Sequence, residues 1–317
     1  MPGVGTTPST PAPAPRLEVL MTAADMSSAP GPTSHAYFSQ RLRLHYVDWG
    51  NPGAPPMLMV HGGRDHCRNW DWVAQALRND YHIIAPDLRG HGDSQWLLGG
   101  SYSIPEFVYD IAQLIDQTEL KPLTILAHSL GGMVSLQYAG LYPENVAKLV
   151  AIEGLGPSRR IVEETAAKPI DERMRSWIEF LRTLAGRTPR RYASLDEAIA
   201  RMQDANPHLS AEQARHLTVY GVNRNEDGTY SWKFDNYVRA FPPAGYGAEG
   251  AKALWSGITC PTLLVYGAES WATDPREDGR AEPFNTAEIV TFEKAGHWVH
   301  HDQLDKFLKT LRAFLAD

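Results

Sequence analysis

Cysteine is scarce in this chain: Cys67 and Cys260 are the two it has among 317 residues. They lie far apart in sequence, so a disulfide framework is not expected, and two reduced thiols in a cytoplasmic protein are. No apolar run approaches the roughly 20 residues that span a bilayer. The start of the chain lacks a basic stretch followed by an apolar core, so a secretory signal peptide is not expected. A basic excess is also missing. The net charge of −7 argues against a nucleic-acid surface and against binding to an anionic membrane. No H-E-x-x-H, paired C-x-x-C or P-loop occurs, and Gly90-His91-Gly92 lacks the third glycine and helix start of a dinucleotide loop. Neither a metal nor a cofactor is expected.

What is present suits a folded globule. Apolar residues make up 43% of the chain and charged residues 21%, enough for one large α/β domain with an insertion, or for two domains. Residues 1–34 stand apart, with PSTPAPAP at 8–15, a composition that cannot bury a core and favours solvated, extended backbone. This arm is expected to be loose, with Met21 or Met26 as an alternative start. No internal repeat is visible.

From His35 onward, short apolar runs alternate with helical patterns. The spacing predicts strands over Tyr37–Gln40, Arg41–Trp49, Pro56–Val60, Tyr81–Ala85, Leu123–Ala127, Val146–Ile152, Cys260–Tyr266 and Glu288–Phe292. Helices are expected around Trp70–Leu77, Ile104–Leu120, after Leu123–Ala127, and from Asp302 to the end. That alternation gives a mostly parallel, doubly wound sheet with right-handed crossovers. It stops over 158–254, which reads as helices over Asp171–Leu184, Ser194–Ala205 and Ser210–Tyr220, with a short extended piece near Tyr230–Phe234. Ser194 with Glu197, and Ser210 with Gln213, have the spacing of capping boxes.

The stretch from Leu123 to Leu141, LTILAHSLGGMVSLQYAGL, organises the rest. A buried strand passes straight into a helix through His128-Ser129-Leu130-Gly131-Gly132. So abrupt a turn needs small neighbours, which Ala127 and Gly131 provide, and it leaves Ser129 projecting at the top of the sheet. The pattern is that of a nucleophile elbow, G-x-S-x-G, with alanine for the first glycine. The N–H of Leu130, opening the helix, points where an oxyanion would form. Alone, the motif could equally be a plain turn.

Four motifs occur in order: His61-Gly62-Gly63, then Asp87-x-Arg89-Gly90-x-Gly92-x-Ser94, then the turn at Ser129, then Gly296-His297. Over residues 35–317 the chain resembles the α/β-hydrolase fold family. The resemblance implies a core of residues 35–157 and 255–317, with 158–254 as a helical cap over the site. It also implies Ser129 as nucleophile and His297 as base, since a neutral serine hydroxyl needs a base within reach. Gly63 and Leu130 N–H groups would form the oxyanion hole. His128 is expected to pack away from the serine, and His300 and His301 to be ordinary loop and helix residues. Arg64, Asp65 and His66 could touch a substrate or simply be a solvated loop, and the Asp87–Ser94 loop reads as structural bracing.

The acid has two candidates. Many members carry an Asp past the strand that here ends at Tyr266, where this chain has Gly267-Ala268-Glu269-Ser270. A subgroup of small esterases carries it after the strand following the elbow helix, and there Val146–Ile152 leads into Glu153. The closing AGHWVH of 295–300 also resembles that subgroup, so Glu153 is favoured and Glu269 is the alternative. Members that act on haloalkanes or epoxides use an Asp nucleophile, and Ser129 departs from that. The implied activity is hydrolysis of small, apolar carboxylic esters through an acyl-enzyme. Lactone, thioester or carbon–carbon bond hydrolysis on the same residues, or a non-catalytic protein holding a small ligand, are the alternatives. Trp177, Phe180, Tyr220, Trp232, Phe234, Tyr237 and Phe241 could line an apolar pocket or form the cap's own core. The expected partner is a small-molecule ester, with no nucleic acid or membrane; oligomeric state is left open.

Overall fold

A run of apolar residues buried on both sides can serve only as the inside of a layered structure, and five such runs line up here. The computed structural model describes residues 31–243, 245–284 and 287–316. Eight strands form one sheet: β1 (Thr33–Ser39), β2 (Leu42–Asp48), β3 (Pro56–Val60), β4 (His82–Pro86), β5 (Leu123–His128), β6 (Val146–Ile152), β9 (Thr262–Gly267) and β10 (Ala287–Phe292). Their spatial order is β1-β2-β4-β3-β5-β6-β9-β10. The pairs of β1 with β2 and of β2 with β4 are antiparallel, and the other neighbours run parallel. The chain is an α/β-hydrolase-type sheet in strand order and direction.

Alternation along the central strands divides the core in two. Leu58 and Val60, Ile125 and Ala127, Leu149 and Ala151, and Leu264 and Tyr266 face one layer. That layer holds α2 (Ile104–Thr118) and α3 (Leu130–Leu141), through Phe107, Ile111, Leu114, Val134 and Tyr138. Met57 and Met59, Leu126, Val150 and Ile152, and Leu263 and Val265 face the other. There α1 (Asp71–Leu77) and the final helix (Leu304–Ala316) contribute Val73, Leu77, Phe307 and Leu311. Both cysteines are buried and free.

The segment after β6 is helical: α4 (Arg159–Ala166), α5 (Ile170–Ala185), α6 (Leu195–Ala205), α7 (Ala211–Gly221) and α8 (Gly247–Ser256). β8 (Tyr230–Trp232) pairs antiparallel with β7 (Val222–Arg224), so the expected extended piece is one arm of a hairpin. Ser210 and Gln213 form a full capping box. At Ser194 the box is half made: its hydroxyl accepts the Glu197 N–H, but the Glu197 carboxylate reaches the N–H of Ala193 instead. Of the expected loose arm, residues 1–30 lie outside the described residues, while Thr33 and Ser34 already belong to β1.

Candidate active site

Three turns past the carboxyl ends of β5, β6 and β10 carry the residues singled out by the sequence. Ser129 follows β5 with φ 50°, a left-handed conformation that a non-glycine residue holds only when its surroundings dictate it. Its N–H donates to the Ile152 carbonyl at 2.8 Å, and its carbonyl accepts from Met133 at 3.0 Å. A Cβ on Gly131 would run into the carbonyl oxygens of Val60 and His61, and one on Gly132 into the backbone of Gly154. Hydrogen at these two positions is what lets α3 begin hard against β3 and the loop after β6.

Glu153, one residue past β6, is likewise left-handed at φ 48°. Its side chain is fully buried, which an ionised carboxylate tolerates only with donors around it. Oε1 accepts the Gly267 N–H at 3.0 Å, and Oε2 accepts the Ser270 hydroxyl at 2.7 Å. The same Oε2 accepts Nδ1–H of His297. A proton on Nδ1 leaves Nε2 with its lone pair, and Nε2 lies 3.0 Å from the Ser129 hydroxyl oxygen. Hydroxyl, imidazole and carboxylate thus form one line, brought together from residues far apart in the chain.

Glu269 is placed elsewhere. Its side chain is 54% exposed and faces His208 at 3.6 Å, while its N–H is tied to Ala295. The backbone after β9 turns so that residue 269 points outward and Ser270 points inward. At the front, the Gly62-Gly63 loop passes over the serine turn: a Cβ on Gly62 would lie 3.2 Å from Ser129 Cβ, and one on Gly63 3.9 Å from Leu130 Cβ. The two backbone segments named for an oxyanion hole are therefore neighbours.

Sequence reasoning missed several supports of His297. Nε2–H of His128 donates to the His297 carbonyl at 2.9 Å, so this buried ring props the loop instead of merely packing. Asp302 accepts the Gly296 N–H at 2.8 Å. Trp271, 71% exposed, lays its ring 4.7 Å from that of His297. His300 and His301, read as ordinary, are buried. Nε2–H of His300 donates to the Asn69 side-chain oxygen at 2.6 Å. Burial lowers His301 to about 3 and pushes His128 and His300 well below the usual imidazole range. An imidazolium formed at His297 would therefore rest on uncharged rings that do not repel it.

The Asp87–Ser94 loop is indeed a brace. Asp87 accepts from the N–H groups of Cys67 and Asp93 and from Nδ1 of His45, at 2.7, 2.9 and 2.7 Å. Burial would raise its carboxyl, but these hydrogen bonds and nearby imidazoles hold it below the usual carboxylate range. His45, Cys67 and Asp87 bring ligand-type atoms within 4.8 Å of one another among the described residues. Those of His45 and Asp87 are already engaged with each other, and burial raises the Cys67 thiol well above its ordinary value, which disfavours metal. Asp65 and His66 are buried, bonded to Asn69 and the Leu217 carbonyl rather than solvated.

Two cavities lie beside these turns. The larger, about 380 Å³, borders Met133 and Gln137 on α3, Leu155, and helices α4 and α8. The smaller, about 20 Å³, lies between Arg64, Trp298 and the hairpin. Of the seven aromatics singled out in residues 158–254, Phe241 lines the first, and Trp232 and Phe234 the second. Trp177 donates to the Ala240 carbonyl, Tyr220 stacks under Arg68, Tyr237 packs on the core, and Phe180 is surface-exposed.

Comparison with known proteins adds three relatives. The family model of the alpha/beta hydrolase fold matches residues 55–304. A 3-hydroxybutyrate-oligomer hydrolase of Cupriavidus necator is 30% identical over 243 residues, 72% of this chain and 77% of that one. Epoxide hydrolase 4 of Mus musculus is 24% identical over 286 residues, 87% of this chain and 77% of that one. The esterase Rv0045c of Mycobacterium tuberculosis is 27% identical over 307 residues, 94% of each chain. Its solved structure superposes with a TM-score of 0.71 over 93% of this chain and 96% of its own, at 22% identity.

Proposed function

The chain belongs to the alpha/beta hydrolase fold family and is a hydrolase, and from that premise we propose that it cleaves carboxylic esters of small, apolar substrates through a serine acyl-enzyme. The observation that carries the proposal is the line from Ser129 Oγ to His297 Nε2 at 3.0 Å, continued from His297 Nδ1 to the buried Glu153. Ser129 attacks the ester carbonyl as His297 takes its proton. Glu153 keeps the ring in the tautomer that accepts at Nε2 and stabilises the imidazolium. N–H groups of Gly63 and Leu130 receive the developing oxyanion. His297 then gives its proton to the leaving alcohol, and water removes the acyl group by the same route. Residues 158–254 serve as the cap over this site, on a core of 35–157 and 255–317.

Serine at the elbow favours this reading over epoxide opening, which in this family resembles chemistry on a carboxylate nucleophile. Names of relatives that speak of an esterase and an oligomer hydrolase point the same way. Lactone and thioester hydrolysis would use the same residues. Turnover of p-nitrophenyl esters by wild type and by Ser129→Ala tests the proposal: we expect hydrolysis by the first and loss of at least about 10³-fold in the second. Retained turnover in a folded Ser129→Ala protein would move the nucleophile elsewhere.

A further inference from the structure

Arg68, Arg89 and Arg280, each largely buried, meet carboxylates at 2.6, 2.6 and 2.7 Å. Arg64 meets none among the described residues, and lies over the Phe234 ring at 6.0 Å. The residue keeps contact with solvent, yet the protein around its guanidinium lowers it below its ordinary value, and the charges of Arg239 and Arg201 lower it further. Three cations thus gather from three elements: the loop after Gly63, α6, and the turn Asn236–Arg239. Carboxylates one or four residues away do not balance them. Asp65 is bonded to Asn69, Glu197 to the Ala193 N–H, and Asp235 to the Tyr102 hydroxyl and the Tyr237 N–H. In a chain of net charge −7, like charges held this close repel one another, and an anion between them would relieve that.

The chain itself sets the place of this cluster. Arg64 follows Gly63, so its Cα lies about 3.8 Å from that of the residue proposed to offer an oxyanion N–H. Its backbone is left-handed at φ 63°, a conformation that arginine rarely holds. The cavity of about 20 Å³ beside it is also bordered by Met202, which follows Arg201, and by Trp298, which follows His297. Lys233 borders it too, but is paired with Asp93 at 2.8 Å. One small space thus adjoins the cation cluster, the oxyanion loop and the loop of His297, with room for a terminal polar group rather than a chain. We propose that Arg64, backed by Arg201 and Arg239, binds a carboxylate on the substrate, a few bonds from the scissile carbonyl. The proposal rests on the serine-ester reading above and narrows it: the ester is small and apolar except for that one group. Arginine suits the task, because its planar fork matches a carboxylate with two parallel hydrogen bonds and keeps its charge at any working pH. Arg201 and Arg239 add attraction toward the same point.

The test compares two matched pairs of esters: mono-p-nitrophenyl adipate with p-nitrophenyl hexanoate, and 4-(hexanoyloxy)benzoate with phenyl hexanoate. The first pair puts the carboxylate on the acyl part, the second on the alcohol part. In wild type we expect one anionic ester to exceed its neutral partner in kcat/KM by at least about tenfold, mainly through KM, with the advantage shrinking as salt is raised. That ratio should fall at least about tenfold in Arg64→Gln, and about twofold or more in Arg201→Gln and in Arg239→Gln. Arg201 and Arg239 are exposed, so a folding failure of Arg64→Gln leaves two readable variants. Calorimetric binding of adipate to the same proteins reads the site without turnover. No preference for either anionic ester in wild type, or an unchanged ratio in every folded variant, overturns the carboxylate site while leaving ester hydrolysis standing. Adipate binding that the variants weaken, without turnover of any ester, supports the site and removes the ester reading instead.

Discussion

Glu153 holds its place through three donors, the Gly267 N–H, the Ser270 hydroxyl and Nδ1–H of His297. Glu153→Gln keeps the shape but can donate where it must accept from His297, so we expect kcat to fall by about 10³-fold or more. Glu269→Gln, at an exposed site 3.6 Å from His208, should change it by less than about twofold. Steady-state rates on one ester rank the two, and the reverse ranking would relocate the acid. Ser270→Ala removes one hydrogen bond of 2.7 Å to the carboxylate without touching His297. That should cost roughly tenfold and move the acidic limb of the pH–rate profile; an unchanged profile would make Ser270 merely structural. That Ser129, His297 and Glu153 would meet in space was legible because turn chemistry and motif order leave traces in sequence. Ser270, His128 and Trp271 were not. Their roles depend on which way a loop turns, and nothing local to them records it.

The strand-to-helix turn is the element on which the geometry depends. Gly131→Ala would press a methyl group into the carbonyl oxygens of Val60 and His61, and no flexible side chain there can yield. We expect a loss of at least about 2 kcal/mol in urea unfolding, or failure to fold; a neutral effect would contradict the close approach. The sheet and α2, α3 and the last helix could be read because apolar residues recur at a clear period. Helices α4 and α8 escaped that reading. In α4 no residue is buried and its 8 residues are too few to show a period, and α8 begins Gly247-Ala248-Glu249-Gly250, which carries two poor helix formers.

At the scale of the molecule, burial disfavours the charged form of six interior histidines. Burial lowers His61 and His301 to about 3 and His91 to about 4, and also lowers His66, His128 and His300. In the unfolded chain these groups titrate near 6.5. Between that pH and their folded values the unfolded state binds more protons, so stability is fully present above about pH 6.5 and is lost as pH falls. Asp65, Asp110 and Asp302, raised by burial, work in the opposite direction but are outnumbered. We expect urea midpoints to drop steeply from pH 7 to pH 5; a flat profile would mean that these rings are not held neutral. Among the described residues no helix is long and apolar enough to cross a membrane.

One hydroxyl made reactive by one imidazole is the claim beneath all of this, and an active-site-directed fluorophosphonate reads it directly. Peptide mapping of the treated, folded protein should find a single adduct at Ser129, abolished by His297→Ala. Absence of an adduct, or an adduct on another serine that persists in Ser129→Ala, would contradict the account.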